Sequence, residues 1–364
     1  MSLEDAPLLR REAPGRALLG VALGLCAAVG VAAALLVAAG NPGNMGICGA
    51  CFLRDLSGAL GLIEKPRVFR PEAAGIVLGA FGWVLLRGRL SARSGSHAAA
   101  RFLLGAAMGL GALVFLGCPF RLLQRLGGGD GNALVGAAGL VAGAGLGVLV
   151  EGRGYSVGKT SPAPVPVGLL GPFAAALLLA LFLAGGVLLG PGAGAAEGPP
   201  HAAWGIALGI GLGAGAALSA TGFCAVSASR QVFRGPRRML LAAAVLVAAY
   251  AAASAATGRF KAAFEGQPVA HAEHLWNFLA PALVGLAGAL AGGCPVRQMV
   301  MAGEGNGDAL VAVAGIASGG ALAHSLGVVS SPQGTTPAGR WFVAVALPLV
   351  LLYGFLVARA RPAS

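Results

Sequence analysis

The chain has 364 residues, of which 57% are hydrophobic and only 10% are charged, and its formal net charge is +12. Soluble globular proteins carry about 25% charged residues, so this composition excludes an ordinary water-soluble enzyme. The 62 glycines and 21 prolines lie among long apolar runs, which excludes a disordered or collagen-like chain. We therefore predict an all-α polytopic membrane protein whose main partner is the lipid bilayer. No basic stripe with interleaved aromatics is present, which argues against nucleic acid as a partner.

Ten apolar runs are predicted to form transmembrane helices, since a span needs roughly 20 apolar residues. The first run is too long for the apolar region of a signal peptide and has no clear cleavage site, so we interpret it as a retained helix. The runs lie at 17–39, 72–86, 100–117, 132–150, 166–190, 202–219, 238–257, 275–292, 308–328 and 341–358.

Basic residues predict the orientation, because cytoplasmic loops are enriched in Lys and Arg. An N-terminus inside the cell places most of the loop arginines in the cytoplasm. Both termini are therefore predicted to be cytoplasmic. The few basic residues then left outside are Lys65, Arg67, Arg70, Arg259, Lys261 and Arg340.

The strongest signal is an internal duplication with a constant offset of 176 residues. Its clearest segment is Gly-Cys-Pro-Phe-Arg at 117–121, which recurs as Gly-Cys-Pro-Val-Arg at 293–297. Five spans per copy is an odd number, so the second copy would enter the membrane in the opposite orientation. Many transporters follow this inverted-repeat plan, with the substrate site at the repeat interface near the midplane. A parallel repeat, with an even number of spans per copy, is the alternative.

The duplication also defines the expected organisation of the chain. Small residues at regular spacing in the two copies, such as Gly139 with Gly143 and Gly315 with Gly319, are interpreted as helix-packing positions. The predicted parts are a cytoplasmic N-terminus at 1–16, a first repeat at 17–190, a linker at 191–201, a second repeat at 202–358 and a cytoplasmic C-terminus at 359–364.

Four cysteines occupy equivalent positions of the two copies and begin short stretches interrupted by Gly or Pro: Cys48, Cys118, Cys224 and Cys294. These stretches are too short to span a bilayer and too apolar for free loops. They predict four re-entrant half-helices, which membranes tolerate only inside protein or along a cavity. With inverted copies, Cys48 and Cys118 would enter from outside and the other two from the cytoplasm, forming an hourglass. Cys26 has no counterpart and is interpreted as a small apolar residue.

Each of these cysteines is followed by an arginine at a repeated spacing, either three or six residues later. A cation within the membrane is expensive and usually functional, and a guanidinium beside a helix N-terminus suits an anion. The alternative is an interfacial anchor whose charged end reaches the polar surface. Acidic partners are expected among Asp55, Asp130, Glu304 and Asp308. The candidate anion-binding residues are Arg54, Arg121, Arg230 and Arg297, supported by Asn44, Gly46, Pro119, Gly222, Pro295 and Gln298.

Cys51 forms a Cys-x-x-Cys pair with Cys48, but the second copy has Ser227 at the corresponding position. A redox or metal pair is therefore not a property of the repeat, and neither a metal nor a cofactor is expected. Two alternatives to an anion transporter remain open. One is a membrane thiol oxidoreductase or chalcogen-transfer protein that uses Cys48 and Cys51. The other is a non-selective anion channel.

The segment Gly-Asn-Met-Gly-Ile-Cys-Gly-Ala-Cys-Phe-Leu-Arg-Asp at 43–55 resembles the first motif of the YeeE/YedE membrane family. Further resemblances lie at 117–121, 222–231, 293–298 and 303–308. Across about residues 17–330, the chain is most similar to the YedE-type branch associated with selenium metabolism, whereas a sibling branch takes up thiosulfate.

This resemblance implies an hourglass transporter of the cell inner membrane rather than an enzyme. Its cysteines, Cys51 included, would line the path of a selenium- or sulfur-containing anion. A small TusA-like sulfur carrier protein is the implied partner. The chain departs from that branch at Ile63 and Glu64, where the branch has a histidine.

Overall fold

The computed structural model describes residues 7–10, 15–64, 66–188 and 201–360. These ranges are almost entirely helical, apart from a two-residue antiparallel pair of strands, β1 (Arg93–Ser94) and β2 (Ser161–Pro162), and a 3₁₀ turn at Leu8–Arg10. The α-helices are α1 (Arg16–Ala38), α2 (Gly49–Ala59), α3 (Pro71–Leu86), α4 (Ala98–Phe115), α5 (Pro119–Gly127), α6 (Gly131–Glu151), α7 (Val165–Leu183), α8 (Trp204–Thr221), α9 (Ala225–Arg230), α10 (Arg238–Ala256), α11 (His274–Leu290), α12 (Pro295–Gly303), α13 (Gly307–Ser325) and α14 (Pro337–Arg359).

The described residues contain nine helical segments that are long and apolar enough to cross a membrane, as a polytopic membrane protein requires. Three of these segments each join a long helix to the short helix after it, namely α4 with α5, α8 with α9 and α11 with α12. The predicted run at 72–86 forms α3, which has 16 residues and is shorter than the other spans. Most of the expected linker at 191–201 lies outside the described residues.

The four short helices α2, α5, α9 and α12 begin directly after the four repeat-related cysteines, as the sequence predicted. Pro119 and Pro295 are the first residues of α5 and α12. Proline has no N–H and a helical φ, so it starts a helix readily but cannot continue the preceding one. Before α5, Leu116 has a left-handed φ of 62°, which ends α4. The chain therefore breaks at the cysteines for a local reason.

The long helices pack in reciprocal pairs. Helix α6 packs against α11, and α13 packs against α4. A Cβ atom added to Gly143 would lie 1.9 Å from Ala282 O, and one added to Gly319 would lie 2.4 Å from Ala106 O. Only glycine permits such close contact between helix backbones, which confirms the packing interpretation of these positions. Both contacts join residues that correspond through the offset of 176 residues.

The turns that follow α5 and α12 make reciprocal contacts as well. Gly131 N–H donates to Ala263 O at 2.9 Å, in the connection between α10 and α11. Likewise, Arg93 N–H donates to Gly305 O at 3.1 Å, so the turn after α12 lies on the connection between α3 and α4. Each copy thus supports the end of a short helix in the other copy.

Candidate functional site

The four repeat-related cysteines are buried and form two neighbouring pairs. The thiol of Cys48 neighbours that of Cys118, and the thiol of Cys224 neighbours that of Cys294. In the second pair, Cys294 N–H also donates to Cys224 Sγ at 3.3 Å. Cys118 lies within electrostatic range of Cys294. The two copies therefore bring their thiols to one region of the protein.

Contacts between the copies enclose this region. A Cβ atom on Gly49, the first residue of α2, would lie 2.9 Å from Val296 N at the start of α12. The rings of Phe120 and Phe223 pack edge to face with their centroids 6.0 Å apart. Phe120 belongs to α5, and Phe223 directly precedes Cys224. The starts of α2, α5 and α12 thus converge, and helix N-termini carry partial positive charge.

Cys51 lies one turn into α2, with its Sγ atom 2.9 Å from Cys48 Sγ. Its N–H also donates to Cys48 Sγ at 3.4 Å. In the second copy, Ser227 lies close to the Cys224 thiol. Each copy therefore places a small polar side chain beside the first cysteine of its pair, although only one of the two carries a thiol.

Arg121 is completely buried and bonds to backbone carbonyls rather than to a carboxylate. Its Nε–H donates to Asn44 O at 3.0 Å, and its terminal nitrogens donate to Leu116 O at 2.5 Å and Val269 O at 3.3 Å. These bonds hold the segment before Cys48 in place. Carbonyl groups do not cancel the charge, so the guanidinium acts electrostatically on the Cys48 thiol.

Arg297, the counterpart of Arg121, has a carboxylate partner, as the sequence suggested. Its two terminal nitrogens bond Glu304 at 2.9 Å and 3.0 Å in a bidentate ion pair. Glu304 also accepts a hydrogen bond from Ser219 Oγ at 2.9 Å. The two equivalent arginines therefore differ in their electrostatic surroundings. The surroundings of Arg121 are more positive than those of Arg297, because Glu304 compensates the charge of Arg297.

The other two predicted arginines are paired with acids. Arg54 Nε donates to Asp55 Oδ1 at 2.7 Å, and its side chain is 14% exposed. Arg230 pairs with Glu151 at the end of α6, and that pair is more exposed, at 31% and 23%. Arg121, Arg230 and Arg297 lie near the ends of their short helices, whereas Arg54 lies in the middle of α2. Glu151 was not among the expected acidic partners.

Two fully buried arginines were not among the predicted site residues. Arg70 was placed in an outer loop, but its side chain is fully buried and its Nε lies 2.5 Å from Asp55 Oδ2. Arg125 pairs with Asp130 at 2.6 Å and stacks over the Phe115 ring at 4.1 Å. Neither Arg70 nor Arg125 has an arginine at the equivalent position of the second copy, so the repeat did not identify them. The short separation of Arg125 and Asp130 in the sequence could have predicted their ion pair.

Asp55 is shared by Arg54 and Arg70, so this buried cluster has more positive than negative charge. His201 Nδ1 contacts Arg70 on the other side. Burial and the Arg70 guanidinium lower the pKa of His201 to about 3. The imidazole is therefore neutral at pH 7 and accepts a hydrogen bond from Arg70. Asp55 remains the one carboxylate that holds both arginines.

Replacing Asp55 by Asn is expected to destabilise the protein by about 3–5 kcal/mol, because it leaves buried guanidinium groups without a countercharge. The measurement is thermal unfolding of the purified variant in detergent. The matched control is Glu273→Gln, which removes an exposed ion pair with Arg340 (32% and 45% exposed) and should cost about 0–1 kcal/mol. Equal losses in the two variants would show that the Asp55 cluster is not structural.

The supporting residues position the segments before the cysteines. A Cβ atom at Gly46 would lie 1.9 Å from Ala33 O, so a larger residue does not fit between this segment and α1. Gln298 Nε2 donates to Ala291 O at 3.1 Å and Gly293 O at 3.3 Å, across the turn before Cys294. Near Cys48, Ile47 N–H donates to Gln124 Oε1 at 3.0 Å. Gln124 was not predicted, because Val300 occupies its position in the second copy.

Comparison of the chain with protein-family models and with curated proteins gives no match in either set. The function of the protein must therefore be inferred from its own residues and their arrangement. Two adjacent thiol pairs, enclosed by short helices and flanked by buried arginines, are the arrangement to be explained.

Proposed function

We propose that the protein is an inner-membrane permease for a selenium- or sulfur-containing anion and belongs to the YeeE/YedE family. The observation that carries this proposal is the meeting of four equivalent thiols from two copies in one buried region. A structural role would not require cysteine at all four positions, because alanine or serine fills similar space. Thiols at equivalent positions of both copies suit a path that a substrate follows from one side to the other.

The proposed architecture is an inverted repeat of five spans per copy, with both termini in the cytoplasm. The reciprocal contacts of Gly143 with Ala282 and of Gly319 with Ala106 support the repeat. In this arrangement the short helices α2, α5, α9 and α12 are four re-entrant segments that line an hourglass. The cysteines then occupy the waist.

An anion that passes through such a constriction loses its hydration shell, and the protein must compensate for the lost hydration free energy. An isolated ion in a medium of low dielectric constant costs tens of kcal/mol by idealised estimates. Arg121, whose guanidinium is bonded only to carbonyls, supplies a positive potential near Cys48. Neutral thiols then donate S–H hydrogen bonds and pass the anion from Cys48 and Cys118 to Cys294 and Cys224. The polarisable sulfur atoms favour thiosulfate or a selenium compound over hard oxyanions such as sulfate.

The buried cysteines correspond to an occluded state, since each of the four thiols is at most 1% exposed. A permease must open to each side in turn, so passage requires minor movements at both mouths. A TusA-like carrier is the proposed recipient of the chalcogen on the cytoplasmic side.

A second candidate function is a thiol oxidoreductase, which the Sγ–Sγ distance of 2.9 Å between Cys48 and Cys51 favours. Joining these sulfurs would release two protons and two electrons, so this function needs an electron acceptor such as a quinone or a partner disulfide. Ser227 opposes this alternative, because the second copy keeps the geometry without the second thiol.

The decisive experiment is uptake of labelled thiosulfate, selenite and sulfate into proteoliposomes that contain the purified protein. We expect saturable uptake of thiosulfate or selenite well above that of empty liposomes, with little sulfate uptake. Equal uptake of all three anions would favour a non-selective channel. No uptake of any of them, with a protein that remains folded, would contradict the permease proposal.

A further inference from the structure

A short segment that precedes α1 lies against the second pair of cysteines. Pro7–Arg10 forms a 3₁₀ turn packed on α1 and α8, with the Leu9 side chain only 2% exposed. A Cβ atom on Gly222 would lie 2.6 Å from Pro7 Cβ, so the proline ring covers this glycine. Gly222 is two residues before Cys224, and its φ of +68° ends α8. The segment therefore covers the approach to the second cysteine pair.

Arg10 brings a further charge to this approach. Its Cδ atom would lie 3.5 Å from a Cβ on Gly222. The guanidinium is within electrostatic range of Arg297, Glu304 and the Cys224 sulfur. Arg10 thus adds positive charge beside the residues that precede Cys224.

The opposite mouth is also covered by a proline, but in a better anchored segment. A Cβ atom on Gly43 would lie 2.4 Å from Pro268 Cβ. The loop that carries Pro268 is held by Gln267 Nε2, which donates to Lys261 O at 2.7 Å, and by His271, which bonds Val114 O at 3.0 Å. This loop connects α10 with α11.

Apolar contacts attach the cover formed by Pro7–Arg10 to the helices. Within the described ranges, its hydrogen bonding is confined to its own turn, where Arg10 N–H donates to Pro7 O at 2.8 Å. Leu9 supplies its main buried apolar side chain. Burial of Leu9 by itself favours docking by roughly 10- to 150-fold, and Leu8 also packs against the core.

We propose that Pro7–Arg10 is a plug that closes the mouth beside Cys224 and leaves it when the substrate passes. The role in passage rests on the proposed permease function, whereas the closure of the mouth does not. Release of Leu9 uncovers Gly222 and opens the approach to Cys224 and Cys294. The anchored loop at Pro268 stays in place meanwhile, so the two mouths need not open together.

The test is the rate at which a charged, membrane-impermeant methanethiosulfonate reagent modifies Cys224 from the side of the N-terminus. Replacing Leu9 by Asp should accelerate this modification about 10-fold or more, because the charged side chain cannot remain buried. Mass spectrometry identifies the modified cysteine. The matched control is Leu62→Asp, at a leucine that is 61% exposed in the loop after α2, and it should leave the rate unchanged.

An unchanged rate of Cys224 modification in a folded Leu9→Asp variant would overturn the plug. If that variant does not fold, Leu9→Ala decides, since it weakens docking and should give a smaller acceleration. Faster modification without anion uptake by any variant would support the plug and contradict the permease. Normal uptake with an unchanged modification rate would support the permease and contradict the plug.

Discussion

Cys118→Ala and Cys294→Ala are each expected to abolish uptake of the labelled anion while leaving a folded protein. Both thiols belong to the buried pairs and directly precede the prolines that begin α5 and α12. Removing a hydrogen-bond donor to a buried anion costs about 1–3 kcal/mol or more. This cost raises the free-energy barrier to passage of the anion. We therefore expect about a 100-fold loss of uptake for each variant. Stability should fall by only about 1 kcal/mol, the range for deleting one small group from a core.

The control for these variants is Cys26→Ala. Cys26 is equally buried but lies in α1 without a counterpart in the second copy. Its replacement should have a similar cost in stability and leave uptake largely intact. Normal uptake by the Cys118→Ala, Cys294→Ala double variant would exclude a path along the thiols. A channel that requires only space and positive charge would then be the better explanation.

Cys48→Ser should lose nearly all uptake, whereas Cys51→Ser should keep a large part of it. Cys48 contacts Cys118 and belongs to the path. Cys51 sits beside Cys48, at the place where the second copy uses the Ser227 hydroxyl next to Cys224. Because the second copy has a serine at this position, a serine in place of Cys51 should also be compatible with passage of the anion. The two variants are to be measured side by side under reducing conditions.

Equal and complete loss in Cys48→Ser and Cys51→Ser would favour the oxidoreductase, in which one thiol attacks and the other resolves. Ser227→Cys provides a matched control, because it gives the second copy the same Cys-x-x-Cys spacing. Under reducing conditions, a permease should tolerate this substitution with little change in uptake.

Local chemistry explains why much of the fold was predictable. Apolar runs of sufficient length identified the long helices, since they partition into a bilayer wherever they occur in the chain. Pro119 and Pro295 identified the breaks before α5 and α12, because proline interrupts the preceding helix. Helix α3 has only 16 residues, fewer than the roughly 20 that a full span needs. Run length does not reveal whether protein contacts complete a short span.

Charge partners were much less predictable. Arg121 and Arg297 occupy equivalent positions in one motif, yet the first bonds carbonyls and the second bonds Glu304. Arg70 reaches Asp55 from a loop that composition places at the surface. A buried guanidinium must find acceptors wherever the fold brings them, so its partner depends on neighbouring elements rather than on its own motif.

The sequence by itself determined a helical membrane protein with four short helices, each beginning after a cysteine. Apolar length, proline and a constant offset act along the chain and can be recognised there. Only the tertiary structure decided that Cys48 neighbours Cys118 and Cys224 neighbours Cys294, and that Leu9 is buried in the segment that packs on Gly222. These contacts join residues far apart in the chain. They form because the chain packs closely at positions such as Gly46, which lies against the Ala33 carbonyl, and Gly222, which lies against the Pro7 ring.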